Sequence, residues 1–163
     1  MTFPPIDALP GVEVRRPPRH QDARGLLMEV FRDDEEGATH RPAMAYVSVT
    51  LPGQARGPHE HVHQSDFFAF AGPGEFLLVM WDHRPGSPTR GRRMCVRAGE
   101  SAPATVRVPP GVVHAYRCVS AVPGWVLNLP DRLYRGPGRA EAVDEIRHED
   151  DPGSPFTRDF AGC

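Results

Sequence analysis

Lysine is missing from this chain: all nineteen basic residues are arginine. That excludes any mechanism needing a Schiff base from a lysine of this chain, pyridoxal-phosphate chemistry included. Charge of one sign is also lacking. The formal net charge is −2, without the basic excess of a nucleic-acid binder. Cysteine is scarce, and Cys95, Cys118 and Cys163 have no CxxC spacing. Neither a disulfide framework nor a zinc knuckle is expected, and Cys95 and Cys118 read as small core residues inside strands. No apolar run approaches bilayer length, and Met1-Thr-Phe-Pro-Pro-Ile6 lacks the charged start and apolar stretch of a signal peptide. The expectation is a soluble cytoplasmic protein without a membrane partner.

Proline and glycine are abundant instead, at nineteen and sixteen residues, which argues against long helices and for many turns. Between the turns lie short β-branched and aromatic segments: 44–51, 67–70, 75–81, 93–97, 104–108, 112–119 and 125–129. Their separators, such as Leu51-Pro-Gly-Gln54 and Pro109-Pro-Gly111, carry turn chemistry. Only Arg139–Ile146 suggests a helix. Many short strands without intervening helices predict an all-β antiparallel sandwich or barrel. No repeat or linker divides the chain, so residues 1–163 are read as one domain. Its core spans 44–135, and a short helix and tail follow over 136–163.

The densest chemistry lies in Arg56-Gly-Pro-His59-Glu-His61-Val-His63-Gln-Ser-Asp66. In a strand, alternate side chains share a face, so His59, His61 and His63 would point into a common space. His114, just past the Pro109-Pro-Gly111 turn, offers a fourth imidazole. Such a group either holds a metal or moves protons. The spacing resembles the two motifs of the cupin superfamily, which implies a jelly roll. In metal-binding cupins the matching positions hold a divalent ion, here His59, His61, Asp66 and His114. Imidazole with carboxylate suits iron, manganese, nickel or zinc.

A second resemblance covers more of the chain. Asp22-Ala-Arg24-Gly-Leu-Leu-Met-Glu29-Val-Phe31, Arg56-Gly-Pro-His59, Asp82-His-Arg84-Pro-Gly-Ser87-Pro-Thr89, Val108-Pro-Pro-Gly111-Val-Val-His114, Asp131-Arg-Leu-Tyr134 and Asp150-Asp151-Pro152 resemble, in order, segments of the dTDP-4-dehydrorhamnose 3,5-epimerase family. That family lies in the same superfamily and works without metal or other cofactor. The resemblance implies a nucleotide-linked 4-keto-6-deoxy sugar as substrate. It assigns His59 as base, Asp151 as the acceptor that fixes the His59 tautomer, and Tyr134 as the acid on the opposite face. Arg24, Glu29, Arg56 and His114 become substrate contacts, with Arg56 and His114 candidate donors to the enolate oxygen. It also implies a homodimer in which strands from 1–43 exchange between subunits.

The chemistry is consistent with those roles. A ketone acidifies its neighbouring hydrogens, and epimerisation takes a proton from one face and returns one to the other. A histidine near its ordinary pKa of ~6.5 serves as base, and a tyrosine, near ~10, as acid. The chain departs from the family at Asp66, near where a lysine is usual, and at Asn128, where Tyr-Lys is common. The expectation is therefore an epimerase or isomerase acting on a related keto-sugar. The alternatives are a metal-dependent cupin oxygenase or isomerase, and a cupin that binds a sugar without turnover.

Overall fold

The computed structural model describes residues 3–34 and 40–163. Twelve strands form: β1 (Glu13–Arg15), β2 (Arg19–Asp22), β3 (Gly25–Met28), β4 (Tyr46–Thr50), β5 (Ala55–Glu60), β6 (Asp66–Phe70), β7 (Glu75–Asp82), β8 (Arg93–Gly99), β9 (Ala104–Val108), β10 (Val112–Cys118), β11 (Gly124–Asn128) and β12 (Ile146–Arg147). The seven segments expected from sequence all appear as strands within a residue or two. They build two five-stranded antiparallel sheets, ordered β1-β9-β6-β11-β4 and β12-β5-β10-β7-β8, while β2 and β3 stand apart as a hairpin. This is the expected jelly-roll arrangement.

Alternation along the strands fills the space between the sheets. Phe68, Phe70, Phe76, Leu78, Met80, Val106, Tyr116 and Val126 meet there. On the far side of the β12-β5-β10-β7-β8 sheet, Leu77, Val79, Trp81, Val113 and Ala115 are covered by Phe156 and Phe160 of the C-terminal tail. Burying each phenylalanine contributes roughly 1.5–3 kcal/mol, enough to hold the tail down.

Two expectations change here. Cys95 is not a free core thiol, because it forms a disulfide with Cys163 across 68 residues of sequence. Spacing gave no hint, since the tail reaches Cys95 only by folding back over the sheet. Cys118 is free and buried, as expected. The predicted helix over Arg139–Ile146 is absent. A 3₁₀ turn at Pro137–Arg139 is followed by non-helical chain leading into β12, which pairs with β5. The reason is tertiary: the Asp144 carboxylate accepts the backbone N–H groups of Val62, His63 and Gln64 at 2.8–3.0 Å. Those bonds outweigh the weak helical propensity of the segment.

The motifs around the strands are largely structural. Asp82 collects Arg84 Nε and Nη2, Ser87 Oγ and Thr89 Oγ1 at 2.5–2.9 Å, so the Asp-x-Arg-x-x-Ser-Pro-Thr stretch knots its own loop. Gly57 has φ +78°, and a Cβ there would strike the carbonyl oxygen of His114. Glycine lets β5 approach β10 closely enough to bring His59 beside His114. Of the acidic stretch Asp33–Glu36, only Asp33 and Asp34 lie within the described residues. Asp33 faces Arg41 at 3.6 Å, and Glu35 and Glu36 lie outside them.

Candidate active site

The mouth of the sandwich opens into a cleft of about 1510 Å³ lined by His59, His61, Tyr134 and several arginines, among them Arg56, Arg147 and Arg158. β5 presents His59 inward, β10 presents His114 inward opposite it, and the two rings lie 4.4 Å apart. β5 ends at Glu60, yet His61 still turns toward the same space, its ring 5.6 Å from His59. His63 does not follow. The chain has left the strand by then, and His63 is exposed at the rim.

Asp66, at the start of β6 and 1% exposed, organises the cluster. Its Oδ1 accepts Gln64 Nε2 at 3.0 Å and Asn128 Nδ2 at 2.8 Å. Its Oδ2 faces His61 Nε2 at 3.1 Å and His114 Nε2 at 3.2 Å, although the His114 contact is not aligned as a hydrogen bond. Burial alone would raise the Asp66 pKa, but the His114 and His61 nitrogens hold it well below the carboxylate range. The effect on His61 is reciprocal. Burial would lower its pKa, and the hydrogen bond and charge of Asp66 overcome that and raise it to about 9. Its Nδ1 also donates to the carbonyl oxygen of Asp144. That shift favours the imidazolium form of His61 at neutral pH. His59 behaves oppositely: burial, then the neighbouring His114, hold it well below the ordinary histidine value. The cleft thus sets an imidazole that resists protonation beside one that favours it, a combination suited to proton abstraction beside a carbonyl.

The structure places the other expected residues unevenly. Tyr134 is half-exposed on the cleft wall. Arg56 also lines the cleft, with its guanidinium held by Thr50 Oγ1 at 3.1 Å and Val49 O at 2.8 Å. His114 is only 1% exposed and sits behind His59 rather than on the cleft surface. Asp151 uses its carboxylate to accept the N–H of Gly153 at 2.8 Å, the local turn that an Asp two residues before glycine readily forms. The carboxylate facing His59 Nδ1 is Glu145, at 3.5 Å, held in turn by Arg147 Nε at 3.0 Å. Arg24 pairs with Asp22, and Glu29 faces Arg32 at 3.6 Å. Neither lines the cleft of its own chain.

Several residues of the cleft escaped the sequence reading. Tyr116 was legible in principle, since it lies two residues after His114 on the same face of β10. Its hydroxyl meets Ser48 Oγ at 2.8 Å. Tyr46 is 45% exposed as a residue, yet its hydroxyl accepts Asn128 Nδ2 at 2.9 Å, and burial of that hydroxyl, then the Asp66 charge, push its pKa up to about 12. Glu145 and Asp144 gave no signal, because their segment reads as helix. The donor atoms of His59, His61, Asp66 and His114 all lie within 4.8 Å of one another, so the expected metal-ligand set also converges.

The model of the dTDP-4-dehydrorhamnose 3,5-epimerase family matches residues 7–134. The probable low-salt glycan biosynthesis epimerase Agl13 of Haloferax volcanii is 35% identical over 124 residues, 76% of this chain and 79% of that protein. The spore coat polysaccharide biosynthesis protein SpsL of Bacillus subtilis is 33% identical over 124 residues, covering 76% and 81%. Among solved structures, a dTDP sugar isomerase from Desulfovibrio desulfuricans superposes with TM-score 0.79 at 24% identity, covering 91% of each chain. ChmJ, a 3′-monoepimerase from Streptomyces bikiniensis seen with dTDP-quinovose, superposes at 0.75 and 24%, covering 96% of this chain and 80% of that one. These two confirm the fold. With the matched model and the curated relatives, the sequence and its site lead to one conclusion: this chain belongs to the dTDP-4-dehydrorhamnose 3,5-epimerase family.

Proposed function

We propose that this sugar epimerase moves a proton beside the ketone of a nucleotide-linked 4-keto-6-deoxy sugar, with His59 as base and His61 as the cation that stabilises the enolate. The observation that carries the reading is the opposed behaviour of two neighbouring imidazoles. His59 keeps a free lone pair because burial disfavours its protonation, and His61 keeps its proton because Asp66 anchors it. His61 thereby supplies the positive charge that a lysine near Asp66 brings to the family pattern. Glu145, 3.5 Å from His59 Nδ1, is poised to accept that N–H and stabilise the imidazolium formed on proton abstraction. This role had been expected of Asp151. Tyr134 on the cleft wall is the proton donor for the opposite face. The arginines around the cleft suit a pyrophosphate, which guanidinium forks bind in two-point fashion.

No step of this mechanism needs a cofactor. Nucleotide sugars bound to two neighbours, dTDP-quinovose in ChmJ and dTDP-4-keto-L-rhamnose in the Legionella pneumophila enzyme, support a nucleotide sugar as substrate here. A homodimer goes with the same reading. The β2–β3 hairpin carries Leu26 and Leu27 into solvent at 48% and 66% exposure, and it also carries Arg24. Exposed Val47, Val49 and Trp125 line the outer face of β4 and β11. An apolar face and a projecting apolar hairpin are what a second copy would cover. No helix among the described residues is long and apolar enough to cross a membrane, in keeping with an enzyme that meets nucleotide sugars in the cytoplasm.

The test is deuterium wash-in from heavy water into a dTDP-4-keto-6-deoxy sugar. His59→Ala abolishes exchange at both carbons next to the ketone. Tyr134→Phe retains wash-in but loses inversion by about 10²-fold or more, the usual worth of a positioned proton donor. Full epimerisation by Tyr134→Phe would refute its role. A second reading, metal catalysis, rests on the convergence of the four ligand-type residues on one point. It requires activity to vanish on chelation and return with one particular ion.

A further inference from the structure

The alternation that turns His59 into the cleft turns Glu60 out through the opposite face of β5. There, on the other face of the strand from the proposed chemistry, Glu60 is 5% exposed and its Oε1 meets two imidazoles, His83 Nδ1 at 2.7 Å and His148 Nε2 at 2.9 Å. The three donor atoms all lie within 4.8 Å of one another. They come from three separate segments: β5, the knotted loop after β7, and the turn after β12. The loop is held by the Asp82 network, and the N–H of His83 donates to Gly111 O at 3.2 Å. The Nδ1 of His148 lies 3.1 Å from Ser154 Oγ. A donor bond there leaves the Nε2 lone pair aimed at Glu60, the outer arrangement that orients a histidine toward a metal. Phe156 packs on both rings, at 5.1 Å from His83 and 4.7 Å from His148, and walls off one side.

We infer that Glu60, His83 and His148 form a binding site for one divalent transition-metal ion of the zinc class, which clamps the C-terminal segment to the sheet. Two imidazole nitrogens and one carboxylate oxygen make up a common three-ligand set, with the fourth position left to water. Two nitrogen donors of three disfavour magnesium and calcium, which take oxygen. The His83 side chain is 43% exposed and gives the ion its way in. Zinc bonds of about 2.0–2.2 Å set tetrahedral donors roughly 3.3 Å apart. The pairs now at 2.7 and 2.9 Å therefore open by only about half an ångström. Arg147 immediately precedes His148 and Glu145 lies three residues before it, so an ion here also steadies the carboxylate that faces His59. The rival arrangement is a hydrogen-bonded knot, in which each imidazole donates an N–H to Glu60 and no metal is held.

Chelator-stripped full-length protein is equilibrated with excess zinc chloride, desalted, and assayed for metal content and melting temperature. His83→Ala and His148→Ala each retain about one zinc per chain fewer than wild type. The double variant His59→Ala/His114→Ala keeps that zinc. Zinc raises the wild-type melting temperature, and the rise disappears in His83→Ala. Cobalt in its place gives the visible absorption of a four-coordinate site in wild type and not in His83→Ala. His83→Gln guards against misfolding, since it preserves a hydrogen bond to Glu60 without the imidazole. Folded His83→Gln with wild-type zinc content overturns the proposal, as does zinc that depends only on His59 and His114, or a wild type that retains none.

Discussion

His61 is the residue whose chemistry the tertiary structure changed most. In the sequence it is one of three alternating histidines. In the fold, Asp66 raises its pKa to about 9, while His59, two residues away, is pushed well below its ordinary value. The pH dependence follows. His59 remains a base below pH 6.5, so kcat/KM is sustained there. It declines as pH rises through about 9, where His61 loses its proton, and steady-state rates between pH 5 and 10 check both limbs. Stability follows the same groups. A folded pKa raised above the unfolded ~6.5 contributes stability that is complete below that value and lost as pH climbs through about 9. Urea midpoints therefore fall over that window, and less so in His61→Asn. Asp66→Ala, which leaves the largely buried His61 without its carboxylate, lowers stability by about 3–5 kcal/mol in the same assay. That His59 and His114 would lie together was legible from their motifs. Glu145 facing His59 was not, because a contact between residues 86 apart along the chain depends on where two strands land.

At the scale of elements, seven strands were visible in sequence because their alternation and their turns agree with the final sheets. β5 was read only through its alternating histidines, and β1, β2, β3 and β12 were not seen, being only two to four residues long, too short for a period to register. The segment 139–146 misled in the other direction. Its alanines and glutamates favour helix locally, yet Asp144 makes three backbone hydrogen bonds with Val62, His63 and Gln64 that a helix would forfeit. Asp144→Ala accordingly costs about 1.5–3 kcal/mol, the scale of a lost charged acceptor. It also lowers kcat, because Glu145 loses its support beside His59. Circular dichroism melting and turnover on one preparation read both effects. The tail is held by Phe156, Phe160 and the Cys95–Cys163 bond. Cys163→Ser lowers stability by about 2–4 kcal/mol when measured without reductant, and adding reductant removes the difference from wild type.

For the whole molecule, the single chain leaves its site open on one side. Arg24 and Glu29 lie on or next to the projecting hairpin rather than in their own cleft, and on the proposed reading they serve the cleft of a second copy. Leu27→Asp then shifts the protein toward monomer in sedimentation velocity and takes activity down with it. A sharper check mixes Arg24→Ala protein with His59→Ala protein, each inactive alone. Subunit exchange restores roughly a quarter of wild-type turnover, since half the dimers are mixed and each has one intact cleft under two-fold symmetry. No recovery would mean that each chain supplies its own Arg24.

The all-β class, the family and the central histidines were all readable from the chain, because turn residues, two-residue periodicity and short motifs are local properties. Protonation states, the carboxylate facing His59, the Cys95–Cys163 pairing and the outer Glu60, His83 and His148 cluster are not local. Each depends on burial and on contacts between segments far apart in sequence, and only the packed sheets bring those segments together.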